Sequence, residues 1–263
     1  MDGLNRYKGV IIFAAPRTGS TYLVEVISSV LSSNNPSSKI RNLYEMFEAS
    51  SAFTREWQPI TIDRYEWIPR PYTNGVLKQR IKCLCQSDIF PVMKIFMQDF
   101  EGQNYDLYDR HFSGDDYYKI ILNRYNIEEQ IISYLLSKYT NIWHVRDAAT
   151  AEKFKLKRMN KMAVNLDDVR YIGKNIINLY AWQLFNDQMP AIWYEDLANL
   201  TIADLNIWPR DVEAAMNPQQ KMNSNHVEQL HDLATNSDEV LRLINELTHS
   251  ISKARDIVYA RKM

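Results

Sequence analysis

Residues 10–23 read VIIFAAPRTGSTYL, and this stretch decides the fold. Its first six residues form a continuous apolar run, which predicts a strand buried on both faces, as in a parallel sheet. A turn containing Pro16, Arg17 and Gly19 follows, and a helical pattern begins at Ser20. The first backbone N–H groups of such a helix lack partners within the helix and point towards the turn. Together with the helix dipole, they predict an anion-binding site.

The side chains of this loop suit the same purpose. Arg17 is a planar cation matched to phosphate or sulfonate, and Gly19 lets the backbone approach a ligand closely. Thr18, Ser20 and Thr21 complete the predicted set of binding residues. The alternative is an ordinary turn before a helix capped by Ser and Thr. The combination of a buried strand, Pro-Arg, Gly and a helix favours the anion site.

The loop differs from the nucleotide-triphosphate loop G-x-x-x-x-G-K-[ST]. Ala14 stands at the first glycine and Ser20 at the lysine that would reach the β- and γ-phosphates. We therefore expect an anion shorter than a triphosphate, with Arg17 approaching it from the other side.

The rest of the chain predicts an α/β fold, a three-layer P-loop-type arrangement with a central parallel sheet flanked by helices. Further apolar runs predict strands at 91–97, 118–122 and 189–193, and helical spacing predicts helices at 20–31, 127–139, 166–182 and 240–257. We interpret residues 1–263 as a single domain with an irregular excursion at about 50–90. Aromatic residues of this excursion could line an acceptor site or could simply pack it down.

Composition narrows the class of protein. The formal net charge of -1 gives no global basic field for nucleic acid or an anionic membrane. The five histidines show no metal-ligand spacing, so we expect no metal. The two cysteines, Cys83 and Cys85, are too close in sequence to staple a fold and indicate a reducing compartment. With no signal-peptide pattern and no run of 18 apolar residues, we expect a soluble, cytoplasmic protein.

Residues 16–21 resemble the 5′-phosphosulfate loop of sulfotransferases, Pro-[Arg/Lys]-[Ser/Thr]-Gly-[Ser/Thr]-Thr. Residues 118–133 form a second strand and helix, and in that family this element carries an Arg and a Ser that bind the 3′-phosphate of the donor. Arg124 and Ser133 are the matching residues. Many members place the Arg where this chain has Tyr125, and the alternative for Arg124 is a strand-end arginine paired with a carboxylate.

The resemblance continues through Trp143-His144, as in the bacterial branch that sulfates trehalose-type glycolipids, and through 190–197, from residue 9 to about 200. Glu45 follows the first helix where carbohydrate-type members place their catalytic base. The alternative is a solvated Glu on a short helix. Residues 219–221 are weakly similar to a loop that closes over the nucleotide.

The resemblance implies a sulfotransferase that uses 3′-phosphoadenosine 5′-phosphosulfate as co-substrate, without a metal. In-line transfer to a hydroxyl acceptor would use Glu45 as general base and Arg17 against the charge on the leaving phosphate. The family favours a carbohydrate or glycolipid acceptor, while peptide tyrosine and small alcohols stay open, as does the oligomeric state. The alternatives are a P-loop kinase-like phosphotransferase and a non-catalytic nucleotide-binding protein.

Two further basic features of the sequence allow more than one interpretation. Lys94 could face the acceptor or the leaving group, although charged residues near strand ends are common. The basic run at 153–161 could attract an anionic acceptor or lie over the phosphates of the donor, although a solvated helix face is the default for such runs.

Overall fold

The computed structural model describes residues 7–34, 39–45, 81–82, 84–85, 88–97, 103–143, 147–197 and 226–260. Most of the predicted excursion at 50–90, His144 and the weakly matched loop at 219–221 lie outside the described residues. The described residues form two compact units. The first unit comprises those within 1–14, 19–123 and 188–218, and the second comprises those within 15–18, 124–187 and 219–263. The prediction of one domain stays a prediction.

The first unit is built on five parallel strands in the order β2-β3-β1-β4-β5. The strands are β1 (Gly9–Ala14), β2 (Lys39–Glu45), β3 (Ile89–Phe96), β4 (Tyr117–Asn123) and β5 (Ala191–Trp193). The helices of this unit include α1 (Ser20–Asn34) and α2 (Gln103–Phe112). An all-parallel sheet flanked by helices confirms the predicted α/β fold class.

The first unit has helices on both faces of its sheet. Alternate residues of a strand point to opposite faces. Val10, Ile12 and Ala14 share a core cluster with the inner side of α1, which contributes Leu23, Val24, Ile27 and Leu31. On the other face the ring of Phe13 meets the ring of Tyr108 of α2, with centroids 5.6 Å apart. Each fully buried side chain of this size contributes about 1.5–3 kcal/mol, and burial on both faces explains why β1 is apolar throughout.

The sequence did not predict β2. This strand lies at one edge of the sheet, and exposed Lys39 and Arg41 alternate with buried Ile40. A register irregularity between Asn42 and Tyr44 interrupts the alternation further along the strand. A short, half-polar edge strand lacks the apolar run that identified the central strands. The interpretation of this region as a short helix is wrong, because Glu45 ends a strand.

The second unit consists of helices. They are α3 (Ile127–Thr140), α4 (Ala148–Arg158), α5 (Leu166–Phe185), α6 (His226–Leu233) and α7 (Ser237–Ala260). Helix α3 begins after Asn126, whose side chain accepts the Glu129 N–H, and ends at Asn141 in the left-handed conformation. The predicted helices at 127–139, 166–182 and 240–257 are confirmed.

In the second unit α5 packs extensively against α7, and α3, most of whose residues are buried, packs against α5, α6 and α7. No residue of helix α4 is fully buried, and Lys153, Lys155 and Lys161 of the basic run are exposed, whereas Lys157 donates to the carbonyl of Thr140 at 2.7 Å. Within the ranges described, no helix combines the length and the apolar character needed to cross a membrane.

A pair of hydrogen bonds ties the segment before α5 to the start of α7. The side chain of Asn236 accepts the N–H of Val164 at 2.9 Å and donates to the carbonyl of the same residue at 3.0 Å. Val164 is 2% exposed, so water cannot readily replace both bonds. We expect Asn236→Ala to lower the free energy of unfolding by about 2–3 kcal/mol.

Urea unfolding measures this difference, and Asn160→Ala, the same change at an exposed turn, is the matched control. The control should stay within about 0.5 kcal/mol of the wild type. Equal effects of the two substitutions would show that the bonds to Val164 are not a stability determinant.

Candidate functional site

The loop after β1 has an unusual backbone. Arg17 has φ +66° and Gly19 has φ +81°, so two of three consecutive residues are left-handed. This conformation is free for glycine but costs roughly 1–2 kcal/mol for a residue with a Cβ. Left-handed residues in a turn bring successive N–H groups into the concave arrangements that bind anions. The left-handed backbone of Arg17 must therefore be stabilised by contacts with other residues.

In the second unit, side chains from the region of α3 hold the loop by its carbonyl oxygens. Gln130, 1% exposed, donates from Nε2 to the carbonyl of Pro16 at 2.8 Å. Arg124, 8% exposed, donates from Nη1 to the carbonyl of Arg17 at 2.9 Å. Within the loop, the hydroxyl of Thr18 donates to the carbonyl of Ala15 at 3.0 Å. A hydrogen bond to a charged group contributes about 1.5–3 kcal/mol, which is enough to offset the strain.

The side chain of Arg17 lies among the other predicted residues of this unit. Its Nε donates to the hydroxyl of Ser133 at 3.0 Å, and its Nη1 donates to the carbonyl of Trp143. The structure therefore brings Arg17, Arg124 and Ser133 together. Tyr125, where many sulfotransferases have their arginine, is 48% exposed. Arg124, by contrast, is buried and in contact with the loop.

A carboxylate completes this cluster. Glu129 Oε2 lies 2.7 Å from Arg124 Nη2, and Glu129 Oε1 lies 3.0 Å from Nδ1 of His226, the first residue of α6. The hydrogen bond from His226, together with the positive charge of Arg124, lowers the pKa of Glu129 to about 2 despite partial burial. Arg124 is thus paired with a carboxylate, as the alternative interpretation expected, and it also contacts the loop.

The first unit carries the remaining predicted loop residues. Ser20 and Thr21 open α1, and Ser20 is buried. Gly19 lies directly under the ring of Tyr194, which belongs to a short 3₁₀ turn, Tyr194–Asp196, after β5. A Cβ placed on Gly19 would lie 2.3 Å from two atoms of that ring. Glycine is therefore required here by both its backbone conformation and its surroundings.

A buried lysine of β3 reaches the same helix start. Lys94 is 3% exposed, and its Nζ donates to the hydroxyl of Thr21 at 2.5 Å. The parallel register places the backbone of Glu45, the last residue of β2, beside Lys94. The side chain of Glu45 lies outside what the structure describes. Glu45, the candidate base, is therefore paired in the sheet with Lys94, and the ammonium of Lys94 contacts Thr21 of the predicted binding residues.

These groups are suited to binding an anion. The second unit brings together the guanidinium groups of Arg17 and Arg124, with the carboxylate of Glu129 at Arg124. In the first unit, taken by itself, the buried ammonium of Lys94 lies beside the start of α1, where helix N–H groups favour negative charge. Among the described residues no group of His, Cys, Asp or Glu could hold a metal ion.

Sequence reasoning missed four contacts that shape these groups: Gln130, Glu129, His226 and Tyr194. Gln130 was detectable, because it precedes Ser133 by three residues and so shares its face of α3. Glu129 was partly detectable as an acidic residue in the first turn of that helix. No local pattern could have linked His226 to Glu129, or Tyr194 to Gly19, because each pair is distant in sequence.

We expect Gly19→Ala to lower the free energy of unfolding by at least about 2 kcal/mol, because the new Cβ is strained by the positive φ and collides with Tyr194. Gly114→Ala is the matched control, since a Cβ at Gly114 meets no atom within 4 Å. The control should change stability by no more than about 0.5 kcal/mol. Thermal or urea unfolding distinguishes them, and a neutral Gly19→Ala variant would contradict the described geometry.

No family model matches the chain, and no curated protein matches it.

Proposed function

We propose that this chain is a sulfotransferase that moves a sulfonate group from 3′-phosphoadenosine 5′-phosphosulfate to an acceptor hydroxyl, on a carbohydrate or glycolipid, without a metal. One observation carries the proposal. Arg17, expected at the 5′-phosphosulfate, and Arg124 and Ser133, expected at the 3′-phosphate, lie 107 and 116 residues apart in sequence yet are joined by direct hydrogen bonds.

The contacts of these residues suggest how the donor would be held. Arg17 donates to a hydroxyl and a carbonyl, both neutral acceptors. A phosphate oxygen is a stronger acceptor for a guanidinium than either of them, because both partners are charged. The donor would therefore draw the side chain of Arg17 from these acceptors. Arg124 and the hydroxyl of Ser133 would receive the 3′-phosphate.

The reaction would be a single in-line displacement. The acceptor oxygen forms a bond to sulfur, and the bond from sulfur to the bridging oxygen of the 5′-phosphate breaks. Adenosine 3′,5′-bisphosphate leaves, and the proton of the acceptor hydroxyl passes to the carboxylate of Glu45. Arg17 and the N–H groups after Gly19 oppose the charge that grows on the leaving phosphate.

One observation favours a second candidate, a P-loop kinase-like phosphotransferase. The ammonium of Lys94 contacts Thr21 and supplies, from β3, a cation that triphosphate loops carry in the loop itself. A non-catalytic nucleotide-binding protein is the remaining alternative.

Cys85 is a free thiol in the structure, and the low cysteine content favours a reducing, cytoplasmic location.

Binding calorimetry with adenosine 3′,5′-bisphosphate, AMP and ATP–Mg²⁺ tests the proposal. We expect a clear preference for the bisphosphate over AMP, because only the bisphosphate carries the 3′-phosphate. Arg124→Ala should weaken the bisphosphate about 10- to 100-fold, the value of charge-assisted hydrogen bonds, and weaken AMP by a smaller factor, because it also removes one support of the loop. Ser133→Ala should reduce the same preference by a smaller factor, because it removes a neutral hydroxyl, although that hydroxyl also accepts a hydrogen bond from Arg17.

Arg170→Ala is the matched control, since Arg170 is an exposed arginine of the same unit paired with Asp167. It should bind like the wild type. Equal affinity for the bisphosphate and AMP would overturn the proposal, and a preference for ATP–Mg²⁺ would favour the kinase.

The chemical step is tested by transfer of labelled sulfonate from the donor to a panel of sugars and glycolipids. Glu45→Gln removes the base but keeps the shape of the side chain. We expect it to lower turnover at least about 100-fold while bisphosphate affinity changes little. Bisphosphate binding without any transfer by the wild type would support the non-catalytic alternative.

A further inference from the structure

The carboxylate of Glu129 is shared between two basic groups of the second unit. One oxygen lies 2.7 Å from the guanidinium of Arg124, and the other lies 3.0 Å from Nδ1 of His226. The side chains of Arg124, Glu129 and His226 are 8%, 23% and 20% exposed. All three are therefore largely shielded from solvent, where interactions between charges are stronger than at the surface.

The position of Glu129 is fixed by its helix. It lies in the first turn of α3, and its backbone N–H is bound by the side chain of the N-cap residue Asn126 at 2.9 Å. Ser133 lies one turn further along the same helix. Glu129 thus has a rigid backbone beside a predicted 3′-phosphate ligand, while His226 begins a different helix, α6.

The net charge of the Arg124–Glu129–His226 group depends on one proton. The hydrogen bond from His226 and the charge of Arg124 hold the pKa of Glu129 at about 2, so its carboxylate is ionised throughout the neutral range. With a neutral imidazole, the group is neutral overall. With a protonated imidazole, the group carries one positive charge. The carboxylate of Glu129 is then shared between two cations, so it compensates less of the charge of Arg124, and Arg124 attracts a phosphate more strongly.

Other charged residues belong to α6 itself and to the helices that pack against it, which are α3, α4 and α7. They are Glu128 and Lys138 of α3, Glu152, Lys153, Lys155, Lys157 and Arg158 of α4, Glu228, His231 and Asp232 of α6, and Asp238 and Glu239 at the start of α7. His231 bonds to Ser237 through its Nδ1, while His226 is the histidine in contact with the carboxylate of Glu129.

We propose that Glu129 and His226 are positioning residues that determine how strongly Arg124 selects a 3′-phosphate, and that proton uptake by His226 increases this selection. The inference rests on the proposed function, because it assigns the 3′-phosphate to Arg124. Proton uptake by the imidazole beside Glu129 would therefore couple donor recognition to pH.

The sign of the coupling follows from the charges. A bound 3′-phosphate stabilises the protonated imidazole, so binding takes up a proton, and by linkage a lower pH strengthens binding. The phosphate itself acts in the opposite direction, since it loses charge as its second ionisation, near pH 6, is approached. A variant without the imidazole retains only the weakening of binding that results from protonation of the phosphate. The wild type is therefore compared with that variant.

The test measures the ratio of the dissociation constants of AMP and adenosine 3′,5′-bisphosphate between pH 8.0 and 6.5. The 5′-phosphate is common to both ligands, so its titration cancels in the ratio. For the full-length wild type, we expect the ratio to rise about fivefold or more as the pH falls. His226→Asn keeps an N–H near the position of Nδ1 but cannot take up a proton. Its ratio should stay flat or fall.

Glu129→Gln provides the opposite change. It keeps the shape of the side chain and removes the charge that compensates Arg124, so its ratio should exceed that of the wild type at pH 8.0 and vary little with pH. A merely structural role of the pair would lower the ratio in both variants. Melting temperatures of the two variants check that each is folded at the temperature of measurement.

The possible results distinguish failure of the inference about Glu129 and His226 from failure of the proposed function. A wild-type ratio that rises as the pH falls, a flat His226→Asn ratio and a raised Glu129→Gln ratio support the inference. A wild-type preference for the bisphosphate whose pH dependence persists in His226→Asn overturns the inference and leaves the proposed function standing. A wild-type ratio near one at every pH overturns the proposed function, and the inference with it.

Discussion

The left-handed backbone at Arg17 is the constraint on which the rest of the candidate site depends. An arginine does not adopt this conformation without support, and two buried side chains supply it by binding the carbonyls of Pro16 and Arg17. Gln130 and Arg124 hold these carbonyls in place, and so hold the turn that leads to the start of α1. The same bonds fix the loop close to Ser133, and so relate two segments of sequence that each predict a phosphate contact.

This support also couples the residues proposed to bind the donor, so that they are not independent of one another. Arg124 both holds the loop and carries the charge assigned to the 3′-phosphate, while its partner Glu129 reaches His226. A change at any of the three alters the others, since they share hydrogen bonds in a partly dehydrated environment. In the first unit, Lys94 plays a comparable part at Thr21, as a buried cation at the start of α1.

The fold was largely predictable, and the site only in part. The central strands were visible because burial on both faces leaves an apolar run, as in β1, and the long helices because their apolar faces repeat regularly. The edge strand β2 was not, because half of its residues face solvent. In the candidate site, sequence resemblance placed Arg17, Arg124 and Ser133, and spacing along α3 could have added Gln130. Their joint position, and the contacts of Gly19 with Tyr194 and of Glu129 with His226, depend on tertiary packing, which no local pattern encodes.

The most direct test of the central claim is the affinity of Gln130→Met for adenosine 3′,5′-bisphosphate. Methionine preserves the volume of the side chain but cannot donate to the carbonyl of Pro16, so the loop loses one of its supports. We expect binding to weaken at least about tenfold, the value of one buried hydrogen bond and its unsatisfied partner. Gln183→Met, the same change at another fully buried glutamine of the second unit, should bind like the wild type. Unchanged affinity in Gln130→Met would contradict the claim that the held loop makes the anion site.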